Sequence, residues 1–253
     1  MVVYELITPT QLNGSVQISV WYNSHSPKFI NREMKIDIIS DTVCPWCFIG
    51  KRRLERALRE RPEIDADVRW HPFQLNPEMP LDGIDRQTYL NLKFGGSTNA
   101  QEVYSNVINA GASENLDFNF TAISRMPSSL LSHRLIYFCR DNSYQSIISE
   151  NLFRSYFFHG LDIGELSNLV RIAEESGLNA IEIEAYLRSS NHSQLIRTQD
   201  KHSRELGISG VPCFIINDEF VVSGAQESEV FLQVFDAANE KSSRKIVDPD
   251  TAP

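Results

Sequence analysis

The chain has 253 residues, of which 42% are hydrophobic and 23% charged, a composition that excludes disordered and disulfide-dense proteins. Its formal net charge of −9 disfavours binding to nucleic acid or to an anionic membrane. No segment has the ~20 consecutive apolar residues of a membrane-spanning helix. The N-terminal residues have neither a basic signal region nor an Arg-rich leader, so we expect a cytoplasmic protein. In that reducing compartment, a close cysteine pair is more often catalytic or metal-binding than structural.

Residues 1–33 are interpreted as an N-terminal extension of the main fold. Apolar and polar residues alternate between Val16 and Val20, as they do in a short edge strand. The first strand of the main fold is predicted at Lys35–Ile39, which is rich in isoleucine. Ser40–Thr42 follows this strand and supplies residue types that commonly begin a helix.

A helix is predicted directly after this strand, beginning at the Cys-Pro-Trp-Cys motif of Cys44–Cys47. Apolar residues then recur at i+3 and i+4, which indicates one buried helix face, and the four charged residues of Lys51–Glu55 can face water. Pro45 suits the first helical turn, because the N–H that proline lacks has no partner there. Residues that favour strands return over 66–75. Strand, helix and strand therefore form a βαβ unit.

From about residue 83 to residue 190 the pattern is helical, and no strand is predicted there. Glycine and proline residues mark breaks between the helices at Gly95–Gly96, Gly111, Pro127, Gly160 and Gly177. Two β-forming segments, Pro212–Ile216 and Phe220–Val222, flank the turn residues 217–219 and predict a β-hairpin. A last amphipathic helix follows, up to about residue 240.

The order of these elements predicts an α/β fold in which a small sheet domain is interrupted by an all-helical insertion. We place the sheet domain in two segments, residues 34–82 and 191–240, and the insertion in residues 83–190. Residues 241–253 are polar and are predicted to be a flexible tail.

The cysteine pair is the feature most able to carry chemistry. Cys44 is predicted to lie at a helix N-terminus, where free backbone N–H groups and the helix dipole stabilise a thiolate. Cys47, one helical turn further on, is then close enough to attack a mixed disulfide formed at Cys44 and to release the reduced partner. On this hypothesis Cys44 is the nucleophile and Cys47 is the resolving thiol.

Two other interpretations of the pair stay open. A zinc site needs two further ligands, but Cys139 and Cys213 are isolated and none of the six histidines forms a ligand pair next to a cysteine. The pair could also be two buried cysteines without chemistry, although Pro-Trp between them at a helix start disfavours this. The βαβ context favours a redox-active C-x-x-C motif over both.

A second signal is Gly207–Pro212, which ends where the hairpin begins. A proline at the first residue of a strand is acceptable on the grounds of sheet structure alone. Its functional interpretation is a cis-proline that turns the Val211 backbone toward a substrate peptide. Because trans is the ordinary state of an X-Pro bond, the cis interpretation depends on a family resemblance.

Taken together, six separated blocks resemble the DsbA-like thioredoxin family, specifically its FrnE-type branch. In chain order they are Asp41–Lys51, Trp70–Leu75, Ser132–Leu135, Tyr156–Ile163, Gly207–Pro212 and Val222–Gln226. The similar region runs from about residue 35 to residue 236. Before the third block this family often has Asn-Thr, whereas this chain has Ser128-Ser129.

The resemblance implies a thioredoxin fold with an inserted helical domain and a redox pair formed by Cys44 and Cys47, with Pro212 as a cis-proline facing them. It also implies thiol–disulfide exchange as the activity. Related glutathione-using isomerases and kappa-class glutathione transferases commonly carry a single Ser or Cys in place of the pair. Because this chain keeps both cysteines, disulfide chemistry is favoured.

Other residues near these motifs have two interpretations each. Trp46, Val211 and Pro212 are predicted to contact the substrate, but the Trp46 ring can equally pack on the insertion. Cys213 is either a third thiol within reach of the site or, as we favour, a buried apolar residue. Cys139 continues the apolar face of a predicted helix and is assigned to the core.

Two histidines, His71 and His133, are considered as groups that hold the Cys44 thiolate, although a single histidine in a helix or strand is more often a hydrogen-bonded structural residue.

Three functional hypotheses follow. The first is a thiol–disulfide oxidoreductase that acts on a protein or small thiol, with no bound cofactor and with glutathione as a possible co-substrate. The second is a glutathione-linked isomerase or transferase acting on a small aromatic metabolite, suggested by the large helical insertion. The third is a non-enzymatic interaction module with zinc at the pair. The direction of disulfide exchange depends on the reduction potential of the pair against that of its compartment.

Overall fold

The structure, a computed structural model, describes residues 32–140 and 144–247. The alternation predicted between Val16 and Val20 lies outside the described residues. In chain order the elements are β1 (Arg32–Ser40), α1 (Pro45–Arg59), β2 (Ile64–Pro72), β3 (Ile84–Asp85), α2 (Arg86–Phe94), α3 (Ser97–Ser113), a 3-10 turn (Phe120–Ala122), β4 (Arg125–Met126), α4 (Leu130–Phe138), α5 (Tyr144–Phe157), α6 (Leu166–Glu175), α7 (Ala180–Arg188), α8 (Ser193–Glu205), β5 (Cys213–Ile216), β6 (Phe220–Ser223) and α9 (Ser228–Val247). None of the helices in the described part of the chain is long and apolar enough to cross a bilayer.

The main sheet has four strands in the order β2-β1-β5-β6. Strand β1 pairs in parallel with β2 and antiparallel with β5, so it is central and buried, which explains its isoleucine-rich sequence. Strands β5 and β6 form the predicted hairpin. At its turn Asn217 and Asp218 have φ angles of 52° and 58°, a left-handed conformation that Asn and Asp tolerate. The predicted βαβ unit and hairpin are confirmed.

The two faces of β5 are covered by different parts of the protein. Phe214 lies on the face toward α1 and packs edge-on against Phe231 of α9, with ring centroids 4.9 Å apart. Cys213 packs instead with Ile39 and Phe73, in a separate small cluster. Because successive strand side chains point to opposite faces, Cys213 and Phe214 must face different layers.

The helices between β2 and β5 share one apolar core with the sheet. Phe48 of α1 stacks on Phe153 of α5, with centroids 5.0 Å apart and rings inclined by 13°. Arg134 of α4 is almost fully buried, and its guanidinium donates to four backbone carbonyls at the end of α7 and just beyond it: Tyr186, Leu187, Ser189 and Asn191. It thereby satisfies carbonyls that a helix end leaves without partners.

Three details differ from the sequence predictions. The segment 83–190 contains a two-stranded antiparallel sheet of β3 and β4, so the prediction of no strand there was wrong. Each strand is two residues long and too short to leave a periodic signal. Gly111 does not break a helix but lies inside α3. Helix α9 continues to Val247, into the segment predicted as a tail, and residues 248–253 lie outside the described part. The domain boundaries at residues 82 and 190 stay a prediction.

The water-facing positions predicted for Lys51 and Arg53 were also wrong. Their relative exposures are 4% and 7%. The Lys51 ammonium lies 2.8 Å from Glu150 of α5, and the Arg53 guanidinium lies 3.0 Å from Glu114, which follows α3. Both positive charges can be buried because each has a carboxylate partner.

Candidate active site

Cys44 and Cys47 lie at the junction of β1 and α1. Cys44 is the N-cap of the helix, with an extended backbone, and Pro45 occupies the first turn as predicted. The N–H of Cys44 donates to the Asp41 carbonyl at 3.0 Å, and the N–H of Cys47 donates to the Cys44 carbonyl at 3.1 Å. These bonds place both thiols in the first turn of the helix. Both are free and buried, with exposures of 4% and 1%.

The loop before β5 meets this helix end. The Cys44 thiol donates to the carbonyl oxygen of Val211 across 3.6 Å, although 167 positions separate the two residues in the chain. The Val211–Pro212 peptide bond is cis. Val211 is half-buried and Pro212 is buried. The structure therefore brings together Cys44, Val211 and Pro212, three of the predicted site residues.

Gly50 determines how closely α1 approaches this loop. A Cβ atom at this position would lie 2.9 Å from Pro212 Cγ and 3.0 Å from Phe214 Cζ. Both distances are well below ordinary carbon–carbon contact at ~3.5–4.0 Å. The sequence pattern does not single out Gly50, but a glycine inside a helix costs stability relative to alanine, which is a signal that close packing requires it.

The environment of Cys47 favours the neutral thiol. Burial raises the pKa of the Cys47 thiol well above its ordinary value, and the adjacent Cys44 sulfur acts in the same direction. The Ser40 hydroxyl and the Asp41 backbone N–H lower the pKa and partly oppose these effects. Cys47 is therefore protonated at neutral pH and must lose its proton before it can act as a nucleophile.

Asp41 fixes the loop that precedes Cys44. Its side chain is fully buried and accepts hydrogen bonds from the backbone N–H of Leu75 at 2.7 Å and of Val43 at 3.4 Å. His133 Nε2 of α4 lies 3.1 Å from the Phe73 carbonyl and 3.3 Å from the Asp41 carboxylate. His133 therefore links the loop before Cys44 to the segment after β2. Both groups that its Nε2 atom contacts are oxygens, so these contacts do not join it to the Cys44 sulfur.

The Ser132–Leu135 block reaches the same loop through a second contact. The hydroxyl of Ser132 donates to the Ser129 carbonyl at 2.9 Å and lies 2.7 Å from the Thr42 hydroxyl. Because the single Ser132 proton is used toward Ser129, Thr42 is the donor between the two hydroxyls. Ser128 and Ser129, which replace the common Asn-Thr, are both buried.

The other residues considered in the sequence analysis each contact a different part of the fold. The Trp46 ring is partly buried and packs against the core. His71 lies on β2 and bonds to Asp37 of β1 at 2.6 Å. Burial raises the pKa of Cys139 to about 11, and it is the core residue that was predicted. Cys213 is buried on the face of β5 opposite Phe214, and burial raises its pKa as well.

In residues 32–140 and 144–247, no group of three or more His, Cys, Asp or Glu side chains is arranged to hold a metal ion.

Comparisons with known proteins identify relatives that cover most of this chain. The uncharacterized protein YwbO of Bacillus subtilis is 28% identical over 197 residues, which cover 78% of this chain and 92% of that protein. The crystal structure of the probable DsbA oxidoreductase SCO1869 from Streptomyces coelicolor is 28% identical, with a TM-score of 0.73 over 87% of this chain and 92% of that chain.

The cytosolic disulfide reductase DsbM from Pseudomonas aeruginosa has the same fold at 17% identity, with a TM-score of 0.58 over 83% of this chain and 98% of that chain. A second DsbM structure, with glutathione, is similar at 15% identity and the same TM-score, over 83% of this chain and 99% of that chain. A model of the DSBA-like thioredoxin domain matches residues 35–236, most of the chain. The thioredoxin fold with its helical segment, predicted from the sequence, is therefore confirmed, and the chain belongs to the DSBA-like thioredoxin domain family.

Proposed function

We propose that this protein is a thiol–disulfide oxidoreductase of the FrnE type, with Cys44 as the nucleophile and Cys47 as the resolving thiol. One observation carries the proposal: Cys44 caps the N-terminus of α1, and its sulfur lies 3.6 Å from the Val211 carbonyl. A helix N-terminus stabilises a thiolate, and the adjacent backbone offers a place for a substrate.

The exchange proceeds in two steps. The Cys44 thiolate attacks a substrate disulfide, forms a Cys44–substrate mixed disulfide and expels the other substrate sulfur, which takes up a proton. The Cys47 sulfur then attacks the Cys44 sulfur, so that the Cys44–Cys47 disulfide forms and the second substrate thiol leaves with the proton from Cys47. The substrate gains two electrons and the pair loses two, and the reverse sequence oxidises a dithiol.

Val211, Pro212 and Trp46 are the proposed substrate contacts. The half-buried Val211 presents its backbone beside Cys44, which suits an extended peptide that pairs with it as an added strand. Pro212 places this backbone, and the partly buried Trp46 ring next to Cys44 offers an apolar surface to the substrate.

Glutathione is the proposed co-substrate, and the cytosol is the proposed compartment. One support is the disulfide reductase DsbM, described as cytosolic, which has the same fold and of which one structure is described with glutathione. The other is that an isolated redox pair, without a disulfide framework, is typical of a reducing compartment.

The decisive test is insulin reduction by the wild type and by the Cys44→Ser and Cys47→Ser variants. We expect Cys44→Ser to abolish turnover and Cys47→Ser to accumulate a mixed disulfide that mass spectrometry detects. Cys213→Ala is the matched control, because it removes a buried thiol on the other face of β5, and it should keep the wild-type rate. Equal rates in wild type and Cys44→Ser would overturn the proposal. Glutathione-dependent turnover of a small aromatic substrate that survives loss of both cysteines would instead favour an isomerase or transferase.

A further inference from the structure

Ser40, the last residue of β1, has a buried hydroxyl that has no hydrogen-bond partner among the described residues. Its relative exposure is 4%. Its backbone position is fixed, because its carbonyl accepts from the Phe73 N–H at 2.9 Å and its Cα pairs with Pro72 in the sheet. A hydroxyl held in this way without a partner needs an explanation, since buried polar groups are nearly always bonded.

Strand alternation places the Ser40 side chain on the same face of β1 as Ile38, which pairs with Phe214 and faces α1. Cys47 lies in the buried first turn of α1, and the Ser40 hydroxyl lowers the pKa of its thiol. A neutral thiol is a weak acceptor, so the interaction contributes little while Cys47 is protonated. A thiolate is a charged acceptor, and hydrogen bonds to charged groups are markedly stronger than bonds between neutral groups. The backbone N–H of Asp41 also lowers the pKa of the Cys47 thiol. Two donor groups from successive residues therefore favour the Cys47 thiolate.

We infer that Ser40 is a positioning residue for the resolving step, in which its hydroxyl and the Asp41 N–H hold the Cys47 sulfur as a thiolate during its attack on the mixed disulfide. The inference rests on the proposed function and deepens it. The bond between Cys44 and the substrate sulfur breaks, and the Cys44–Cys47 bond forms. The proton of the Cys47 thiol ends on the departing substrate thiol, so Ser40 donates a hydrogen bond without being consumed.

This role accounts for the cost of leaving Ser40 without a partner. The burial that keeps Cys47 protonated also deprives its thiolate of water, so an internal donor is the remaining way to stabilise the attacking form. The titratable group that acts on Cys47 is Cys44, on its own helix. In the preceding loop the Asp41 carboxylate faces His133 of α4, with His133 Nε2 at 3.3 Å. Among these neighbours, Ser40 supplies a neutral side-chain donor that does not titrate.

The test measures ionisation of Cys47 in the full-length Cys44→Ser protein by the ultraviolet absorbance of the thiolate, with the Cys44→Ser/Cys47→Ser signal subtracted. Adding Ser40→Ala should lower the thiolate-to-thiol ratio at fixed pH about tenfold, the effect of one hydrogen bond to a charged group. Ser40→Thr keeps the hydroxyl and should restore the ratio. Ser149→Ala is the matched control, because the Ser149 hydroxyl of α5 is also buried and has no hydrogen-bond partner in the part of the chain that the structure describes.

In the protein with both cysteines, Ser40→Ala should slow release of a glutathione mixed disulfide by roughly threefold, because the less acidic thiolate is intrinsically more nucleophilic and offsets part of the loss. An unchanged thiolate ratio in Ser40→Ala, or the same fall in Ser149→Ala, would overturn the role of Ser40. The titration needs no substrate. A chain that fails the insulin assay but responds to Ser40→Ala would therefore refute the proposed function and leave the Ser40–Cys47 interaction in place.

Discussion

Replacing Gly50 by alanine tests whether close packing of α1 against the loop before β5 supports the candidate site. The added Cβ would lie 2.9 Å from Pro212 Cγ and 3.0 Å from Phe214 Cζ, inside the ~3.5–4.0 Å of ordinary contact. Alanine gains up to ~1 kcal/mol of helix propensity, while overpacking a core costs about 1–3 kcal/mol. The net expectation is a loss of about 0–2 kcal/mol in the free energy of unfolding.

The effect on activity should exceed the effect on stability. To relieve the contact, the helix and the loop must separate, which moves the Val211 carbonyl away from the Cys44 sulfur, now 3.6 Å distant. A displacement of about 1 Å at a reacting centre can lower the rate by up to about a hundredfold, so we expect the rate of disulfide exchange to fall by about tenfold to a hundredfold. Urea unfolding measures the stability, and insulin reduction by the folded variant measures the rate.

Gly111→Ala separates these two effects. Its Cβ would lie 2.4 Å from a Phe118 ring carbon, so it should destabilise the protein at least as much. Gly111 belongs to α3 and its close neighbours do not include Cys44 or Pro212, so the folded variant should keep the wild-type rate. If Gly50→Ala gained about 1 kcal/mol of stability at an unchanged rate, as propensity alone predicts, the packing explanation would be refuted.

Three further outcomes are expected. Asp41→Asn should lower the free energy of unfolding by about 1–3 kcal/mol in urea titrations, because the amide keeps only one acceptor oxygen and leaves the N–H of Leu75 or Val43 facing an NH2 group. Burial alone would raise the pKa of Glu150, but bonds from Arg52 and Lys51 outweigh it and hold that pKa below its ordinary value. The stability that Glu150 contributes is therefore present above its unfolded pKa and lost as pH falls through the lower folded pKa, and Glu150→Gln should flatten the acid limb of stability against pH. Arg134→Met should cost about 3 kcal/mol or more, seen as a lower urea midpoint, because buried carbonyls lose their donors.

The elements with a local signal were the ones that the sequence could predict. The hairpin and the helix after Cys44 follow from alternation, turn residues and helical spacing, and each is complete within a short segment. The face of β5 on which Cys213 lies could also have been predicted from the sequence in principle. If Pro212 and Phe214 face α1, strand alternation places the residue between them on the opposite face.

The features that escaped prediction depend on partners far away in the chain. Lys51 and Arg53 were predicted to face solvent because their partners, Glu150 of α5 and Glu114 after α3, are distant in the sequence. No sequence pattern near Ser40 predicts that its hydroxyl will lower the pKa of a thiol in the next helix. Propensity describes a residue's own segment, whereas these contacts are made by tertiary packing.

The central place of β1 in the sheet also has a consequence for how the protein folds. Strand β1, Cys44 and strand β2 belong to one continuous segment of the chain. Val211 is 167 positions from Cys44 and joins them only when β5 pairs with β1. Closing so long a loop is entropically costly and slow, and helices formed in between shorten the distance to be searched. We therefore expect the thiols to be in place before the backbone of Val211, the proposed substrate contact, reaches them. Recovery of exchange activity during refolding should lag behind recovery of helical signal, which makes catalytic competence a late marker of the completed sheet.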